Sequence, residues 1–339
     1  MKTWTVATTV AVLGAAAMTP VQGWWDNGHM LVGEVASQLL APKDRATIEK
    51  VLSDWERSFP NTNTVATAAI WPDLVKCSKS STSCSTAALP SFSSMDKWHY
   101  INLPLNANGT QWGSSPPDLN LFKASFGGEA STVLEQFLAT FNTTQSLWSA
   151  NLALRQLIHI VGDMHQPMHA VTAVSEKLPG GDSGGNSYKF QSPCAFSNLH
   201  ALYDAAGGAY TNNWALKMDS SFKAALKKNA SELAVTIPKL DDKVKIEQYA
   251  NLSYPAFSKA LIDNSAFKKF FLESYELSTS FAYPKLDLTF NDAGNVPCPS
   301  EEYIKQAVLE SKTRIALAGK RLSIILSEIA PQLRALKLA

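Results

Sequence analysis

Apolar residues recur at helical spacing along most of the chain, and strand-like alternation is rare. Met30–Leu40 is the first such run, and Pro42 breaks it. Lys43–Trp55 follows as a second amphipathic helix built on Ala46, Ile48, Val51 and Leu52. Thr64–Val75 reads as a short helix kinked near Pro72. Further helices are expected over Ser131–Phe141, Asn198–Ala206, Ser220–Ala234, Lys243–Ile262 with an interruption at Pro255, Ser265–Ser280 and Glu301–Leu326. Ser146–Met164 differs from these. Leu147, Leu152, Leu154, Leu157, Ile158 and Val161 make it apolar on more than one face, so it belongs at the centre. Residues 76–96 and 104–128 are rich in Ser, Gly, Pro and Asn and read as long loops, as does the turn-rich Gly180–Asn186. Trp98–Leu103 fits either a strand or a loop. No repeat and no apolar-poor linker divides the chain. The pattern predicts a single all-α domain, mainly helical, with long loops.

The start of the chain departs from this pattern. Lys2 is followed by the small and apolar run Val6–Met18, and Val21-Gln22-Gly23 offers a cleavage site. Residues 1–23 therefore read as a signal peptide and residues 24–339 as the folded domain. The apolar run is too short to span a bilayer. The tail Ala330–Ala339 carries Arg334 and Lys337, unlike a lipid-anchor signal. The expectation is a secreted, soluble monomer with no membrane segment. Four cysteines suit two disulfides in that setting, Cys77–Cys84 around the Ser-rich stretch Ser78–Ser83 and Cys194–Cys298. Glycosylation sequons at Asn108, Asn142, Asn229 and Asn251 fit the same setting and predict surface loops or helix ends. The formal net charge of +1 argues against gripping duplex nucleic acid through a basic surface. It leaves phosphate substrates open, because bound Zn²⁺ would supply positive charge that the formal count omits.

The densest chemistry lies in His159-Ile-Val-Gly-Asp-Met-His-Gln-Pro-Met-His169. Three of the six histidines and one aspartate fall within this stretch. His159 and Asp163 are four apart and share a helix face. Pro167 ends the helix, so His169 can fold back toward the same point. A lone histidine here would read as a buried group satisfied by hydrogen bonds. The cluster favours a metal, because imidazole and carboxylate are the usual ligands of Zn²⁺. His200 and Asp204 repeat the same i, i+4 pair. His99 lies in Trp-His-Tyr-Ile-Asn, Asp73 in Trp-Pro-Asp-Leu-Val-Lys, and His29 five residues beyond Trp24. Cleavage after Gly23 would give Trp24 a free amine, which chelates zinc together with its own carbonyl. The candidate ligands are then Trp24, His29, Asp73, His99, His159, Asp163, His169, His200 and Asp204. This is too many for one ion and suits three if one carboxylate bridges. The cysteines lack the paired spacing of a thiolate site. His165 is left over. Helix spacing aims it away from His159, toward a hydrogen-bonded position behind the ligands or the surface.

Several motifs occur in a telling order: Trp-x-x-x-Gly-His at Trp24–His29, Trp-Pro-Asp at Trp71–Asp73, and Trp-His-Tyr at Trp98–Tyr100. His159-x-x-x-Asp163-x-His-Gln-Pro-x-His169, Gly-Gly-Asn at Gly184–Asn186 and Asn-Leu-His-x-x-x-Asp at Asn198–Asp204 follow. From Trp24 to Leu322 the chain resembles the S1/P1, or type I, nucleases. These are secreted, three-zinc enzymes that prefer single-stranded DNA and RNA and also act as 3′-nucleotidases. The resemblance implies three Zn²⁺ as cofactors. Trp24, His29 and Asp163 would hold one. Asp73, His99, His159 and Asp163 would hold its close partner, with Asp163 bridging. His169, His200 and Asp204 would hold the third. A metal pair activates water and clamps the attacking and leaving oxygens of an in-line displacement. Asp73 would orient or deprotonate that water, and the products would be 5′-phosphates.

Two positions depart from the family pattern. Lys76 stands where an arginine usually neutralises the phosphorane, which keeps the charge but loses the planar fork. Asn102 replaces a frequent aspartate that hydrogen-bonds the base, while Tyr100 matches the aromatic that stacks on it. Asn186, in the Gly-Gly-Asn loop, joins them as a candidate substrate contact. The plain alternatives are a core aromatic for Tyr100 and a solvated helix-end lysine for Lys76. An alternative function is a zinc-dependent phospholipase C, the bacterial relative with the same fold. The Gly-Gly-Asn loop and Asp204, where those enzymes resemble this pattern with a glutamate, favour the nuclease. A zinc-stabilised binding protein without turnover would be expected to lack a ligand or Asp73, and none is missing.

Overall fold

The computed structural model describes residues 24–76, 93–106, 130–175, 177–178, 181–211 and 218–339. The expected signal peptide, Cys77, Cys84 and the Asn108 sequon lie outside them. Within them the regular structure is mainly helical: α1 (Asp26–Leu39), α2 (Pro42–Ser53), α3 (Val65–Ala68), α4 (Trp71–Leu74), α5 (Ala130–Thr143), α6 (Leu147–Asp163), α7 (Leu199–Asp204), α8 (Ser220–Ala234), α9 (Asp241–Val244), α10 (Tyr254–Asp263), α11 (Ala266–Leu277) and α12 (Glu301–Ala335). Two short parallel strands, β1 (Leu103–Asn106) and β2 (Val171–Val174), pair Leu103 with Val171 and Asn106 with Val174. The chain is therefore mainly α, as the apolar spacing predicts.

The central helix α6 begins where Ser146 Oγ accepts the backbone N–H of Ser149 at 3.2 Å. That bond satisfies one of the N–H groups a helix start leaves open. Leu154, Leu157, Ile158, Ile160 and Val161 are fully buried, each stabilising the fold by roughly 2 kcal/mol. The long α12 packs on α1, α2, α6 and α8 and closes the core from one side. At 1.5 Å per residue it spans about 50 Å.

The differences from the sequence expectation have local causes. α1 starts at Asp26, one turn earlier than expected, and Thr64–Val75 is two helices, α3 and α4. Trp98–Leu103 is neither wholly strand nor loop. A 3₁₀ helix covers Ser93–His99, and the strand begins only at Leu103 and runs on into the stretch read as loop. Its partner is β2, distant in sequence, so no local pattern announces it. Pro255 lies in the first turn of α10 and begins that helix instead of interrupting one. α11 runs on into a π turn over Ser278–Ala282. α12 continues past Leu326 through Pro331, with Ala330 and Leu333 fully buried beside it. That burial outweighs the hydrogen bond lost at the proline.

Cys194 and Cys298 form the expected disulfide, with Cα atoms 5.6 Å apart. Asn251 is an exposed turn residue and Asn142 falls at the end of α5. Asn229 lies inside α8, which corrects the expectation of a loop or helix end. No described helix is long and apolar enough to cross a membrane.

Candidate metal centre

The i, i+4 pair on α6 behaves as its spacing requires. His159 Nε2 lies 3.0 Å from Asp163 Oδ2. The other ring nitrogen, Nδ1, donates to the Ala69 carbonyl. A carbonyl only accepts, so this contact fixes the proton on Nδ1 and turns the Nε2 lone pair inward. The same device recurs at His169, whose Nδ1 donates to His99 O at 2.7 Å, and at His200, whose Nδ1 donates to Gly184 O at 2.7 Å. Outer hydrogen bonds of this kind orient metal-binding imidazoles.

The β1–β2 pairing brings distant ligands together. Ile101 N donates to His169 O and Leu103 N to Ala170 O, so His99 sits beside the end of α6. Its Nδ1 is 2.9 Å from Asp163 Oδ2, 2.8 Å from His159 Nε2 and 3.9 Å from Asp73 Oδ1. Its Nε2 is buried with no hydrogen-bond partner. His29 arrives from α1 and stacks on His159, ring centroids 4.0 Å apart. Its Nε2 is 3.3 Å from Asp163 Oδ1, yet neither of its ring nitrogens makes a hydrogen bond. Gly162 makes this approach possible, because a Cβ there would stand 2.8 Å from His29 Nδ1.

Three buried or nearly buried groups of potential ligand atoms result: His29, Asp73 and His159; His99, His159 and Asp163; and His169, His200 and Asp204. Asp163 faces two ways. Oδ1 looks toward His29 and His169, Oδ2 toward His99 and His159. This is the geometry a bridging carboxylate needs. Trp24 is buried, and its indole N–H donates to Gly162 O at 3.0 Å. The next amide, Trp25 N, donates to Asp204 O. The start of the described chain therefore lies against both the α6 turn and the third group.

The donor set fits zinc. Four ligands about 2.1 Å from a tetrahedral ion sit about 3.4 Å from one another, and the contacts to Asp163 run from 2.9 to 3.5 Å. Acceptor lone pairs and carboxylate oxygens converge, and the unpartnered atoms of His29, His99 and Asp163 have a cation as their natural partner.

The electrostatics agree. Burial pushes His99 down to about 3, aided by the nearby Lys76 charge. Burial and the adjacent His159 lower His29. Both imidazoles are thus held neutral, the form that binds metal. Burial would raise Asp163, but His159 and His169 outweigh it and hold it well below the usual carboxylate range. Burial would raise Asp73 too, and Lys76, His159, His99 and His29 together hold it low. Asp204 goes the other way. Burial lifts it well above its ordinary value despite the hydrogen bond from Gln166.

Lys76 is buried, not solvated, and its Nζ is 2.6 Å from Asp73 Oδ1. Tyr100 and Asn102 are half-buried next to His99, and Asn102 turns the chain at φ +49°. Asn186 Nδ2 donates to Ser183 O within its own loop. His165 is fully buried, so the surface alternative falls. Its Nδ1 donates to Val161 O and its Nε2 accepts from Arg321 Nη1 at 2.8 Å.

Sequence reasoning missed several supports. Gln166 Nε2 donates to Asp204 Oδ1 at 2.6 Å, while its Oε1 accepts Met168 N. The signal was present in His-Gln-Pro. Asp182 is fully buried and accepts Ala173 N at 2.7 Å and the Tyr283 hydroxyl at 2.6 Å. It anchors the Gly-rich loop that supplies Gly184. Glu273 joins Arg314 and Arg321 behind His165, and nothing local in the sequence marks that trio.

The S1/P1 nuclease family model matches residues 24–331, and the chain belongs to that family. It is 26% identical over 212 residues to Endonuclease 3 of Arabidopsis thaliana, covering 60% of this chain and 63% of that protein. It is 26% identical over 204 residues to Nuclease S1 of Aspergillus oryzae, covering 58% and 60%. Endonuclease 1 of Arabidopsis thaliana is 23% identical over 197 residues, covering 58% and 57%. The chain thus matches about three-fifths of the length of these relatives.

Proposed function

We propose that this chain is a secreted, zinc-dependent phosphodiesterase that cuts single-stranded DNA and RNA to 5′-phosphate products and also removes 3′-phosphates from nucleotides. The observation that carries the reading is the convergence of five histidines and three aspartates into three adjoining groups around Asp163. Trp24, His29 and Asp163, then Asp73, His99, His159 and Asp163, then His169, His200 and Asp204 would hold three zinc ions. When bound, zinc supplies a water acidic enough to attack at neutral pH and charge to stabilise the leaving oxygen.

The remaining work falls to side chains. Asp73, ion-paired with Lys76, orients or deprotonates the attacking water. Lys76, 2.6 Å from Asp73, brings a fixed ammonium to the charge that develops on the phosphorus oxygens. Tyr100 offers a ring on which an unpaired base stacks, and Asn102 both donates to and accepts from the base edge. Asn186 contacts the substrate from the Gly-rich loop. A base held in a duplex cannot reach such a recess without unstacking, hence the preference for single strands.

The test is a zinc count by mass spectrometry paired with cleavage of single-stranded DNA and of phosphatidylcholine vesicles. Three zincs and turnover of DNA alone are expected. Asp163→Asn should lose more than one zinc and nearly all turnover. Hydrolysis of the vesicles without DNA cleavage would sink the nuclease reading.

A further inference from the structure

Five large apolar side chains are exposed among the described residues: Leu39, Val235, Leu252, Leu309 and Trp148. Only Trp148 is aromatic, and 60% of it faces solvent. It is not isolated. Its ring centroid lies 5.7 Å from that of Trp55, which lies 5.3 Å from Trp71 and 5.8 Å from Phe59. Phe59 meets Trp71 edge-on at 5.3 Å. The rings step inward from an exposed Trp148 through a half-buried Trp55 to a buried Trp71. Trp71 occupies α4, the helix that carries Asp73.

The cluster is held rigidly. Trp148 is in the first turn of α6, where the Ser146 cap fixes the backbone. Beneath the rings the Arg155 guanidinium sits 5.4 Å from the Trp55 centroid and 5.6 Å from that of Trp71. It is itself fastened by Asn151 Oδ1, by Thr62 and by Leu52 O. A cation under one aromatic face and solvent over the outermost ring make a preorganised stacking surface. Trp148 and His159 share α6, eleven residues apart, so they are about 16 Å apart along its axis. A single strand seated at the metal centre covers that distance within a few nucleotides.

We propose that Trp148, backed by Trp55 and Phe59, is a distal subsite that stacks one nucleobase of a single-stranded substrate a few nucleotides from the scissile phosphate. The inference rests on the nuclease reading and extends it from the reacting phosphate to the strand beyond. A purine or pyrimidine is the occupant that fits. Every base has a π-face, and stacking on a fixed aromatic binds a strand without regard to sequence. The subsite would make efficiency depend on substrate length.

The experiment compares the wild type with Trp148→Ala and Trp148→Phe on a single-stranded twelve-mer and a dinucleotide. In Trp148→Ala the ratio of kcat/KM on the twelve-mer to that on the dinucleotide should fall on the order of tenfold, through KM, as loss of one stacked base requires. Trp148→Phe should restore most of the ratio. A second measurement reads binding without turnover. A phosphorothioate twelve-mer should quench wild-type tryptophan fluorescence, and Trp148→Phe should lose most of that quenching. Trp148-dependent quenching without DNA cleavage would overturn the nuclease reading and leave the subsite standing. An unchanged length ratio, or quenching retained in Trp148→Phe, overturns the subsite. So does a concentration-dependent dimer that Trp148→Ala dissolves while length dependence is unaffected, because the ring would then belong to a protein interface.

Discussion

The carbonyl oxygen of Gly184 accepts the Nδ1 proton of His200 at 2.7 Å, and this bond sets which nitrogen His200 presents to Asp204. Gly184 has φ +64°, and a Cβ there would collide with the Met168 carbonyl. Gly184→Ala should therefore displace the loop, release the His200 ring and, if His169, His200 and Asp204 hold a zinc, cost about one equivalent. Metal analysis of the purified variant checks this. A full zinc complement with an unaltered melting temperature would show that the loop carbonyl does not position the imidazole. Tyr283→Phe is the milder companion. It removes one donor to Asp182 and should destabilise by roughly 1–3 kcal/mol while retaining most of the metal.

If Lys76 faces the phosphoryl oxygens, it should matter more in the transition state than in the ground state, because that charge develops during the reaction. Lys76→Ala is expected to lower kcat by more than it raises KM, on the order of a hundredfold. Lys76→Arg should keep activity or raise it through a bidentate contact. Steady-state kinetics on a 3′-nucleotide separates the cases. A pure KM effect would make Lys76 a residue that only positions substrate.

Trp24 is buried, with its indole tied to Gly162. If its α-amine is a ligand, protein beginning at Trp24 should bind one zinc more than protein carrying an added Gly-Ser before it. An amide nitrogen at that place is a very poor ligand near neutral pH. The extended form should still fold, yet lose most turnover. Equal zinc content and equal activity in the two forms would remove Trp24 from the ligand set.

Glu273 gives a prediction about acid. Burial raises this carboxyl, but Arg321 and Arg314 outweigh it and bring it down to about 2 from an ordinary 4.5. A depressed folded value means that the stabilisation is complete above about pH 4.5 and is lost as pH falls toward 2. Its size is on the order of 3 kcal/mol. Glu273→Gln should be less stable at neutral pH, since it strands two buried guanidinium groups. Its stability should also change less than the wild type's between pH 4.5 and 2. Urea unfolding of both proteins in excess chelator isolates this contribution from metal loss. Parallel curves would contradict the assignment.

The legible parts of this molecule are the short-range ones. His159 with Asp163 and His200 with Asp204 are pairs four apart on helices, so sequence spacing alone places each pair on one face. The apolar wrap of α6 announces its central position. What escaped depends on contacts between distant residues. The parallel pairing of β1 with β2 seats His99 beside His169 across about seventy residues, and neither four-residue strand carries a pattern of its own. Arg321 reaches His165 from α12, 156 positions away, which is why the burial of His165 could not be read locally. The end of α12 escaped as well, since the helix runs nine residues beyond the expected Leu326 and passes through Pro331. The local rule for proline is strong, and the packing of Ala330 and Leu333 overrides it.

The long helix α12 also carries a consequence for biosynthesis. Every candidate ligand lies between residues 24 and 204, whereas α12 begins at Glu301 and packs on α1, α2, α6 and α8. During translation the whole ligand set therefore emerges before the helix that covers its scaffold. Until then α1 and α6 expose the surfaces that α12 will bury, and His165 lacks its Arg321 partner. A ribosome stalled before residue 300 would hold a chain with all its donor residues and no closed core, open to chaperones and to adventitious metals. The core that α12 closes is thereby completed only after the whole candidate ligand set has been made.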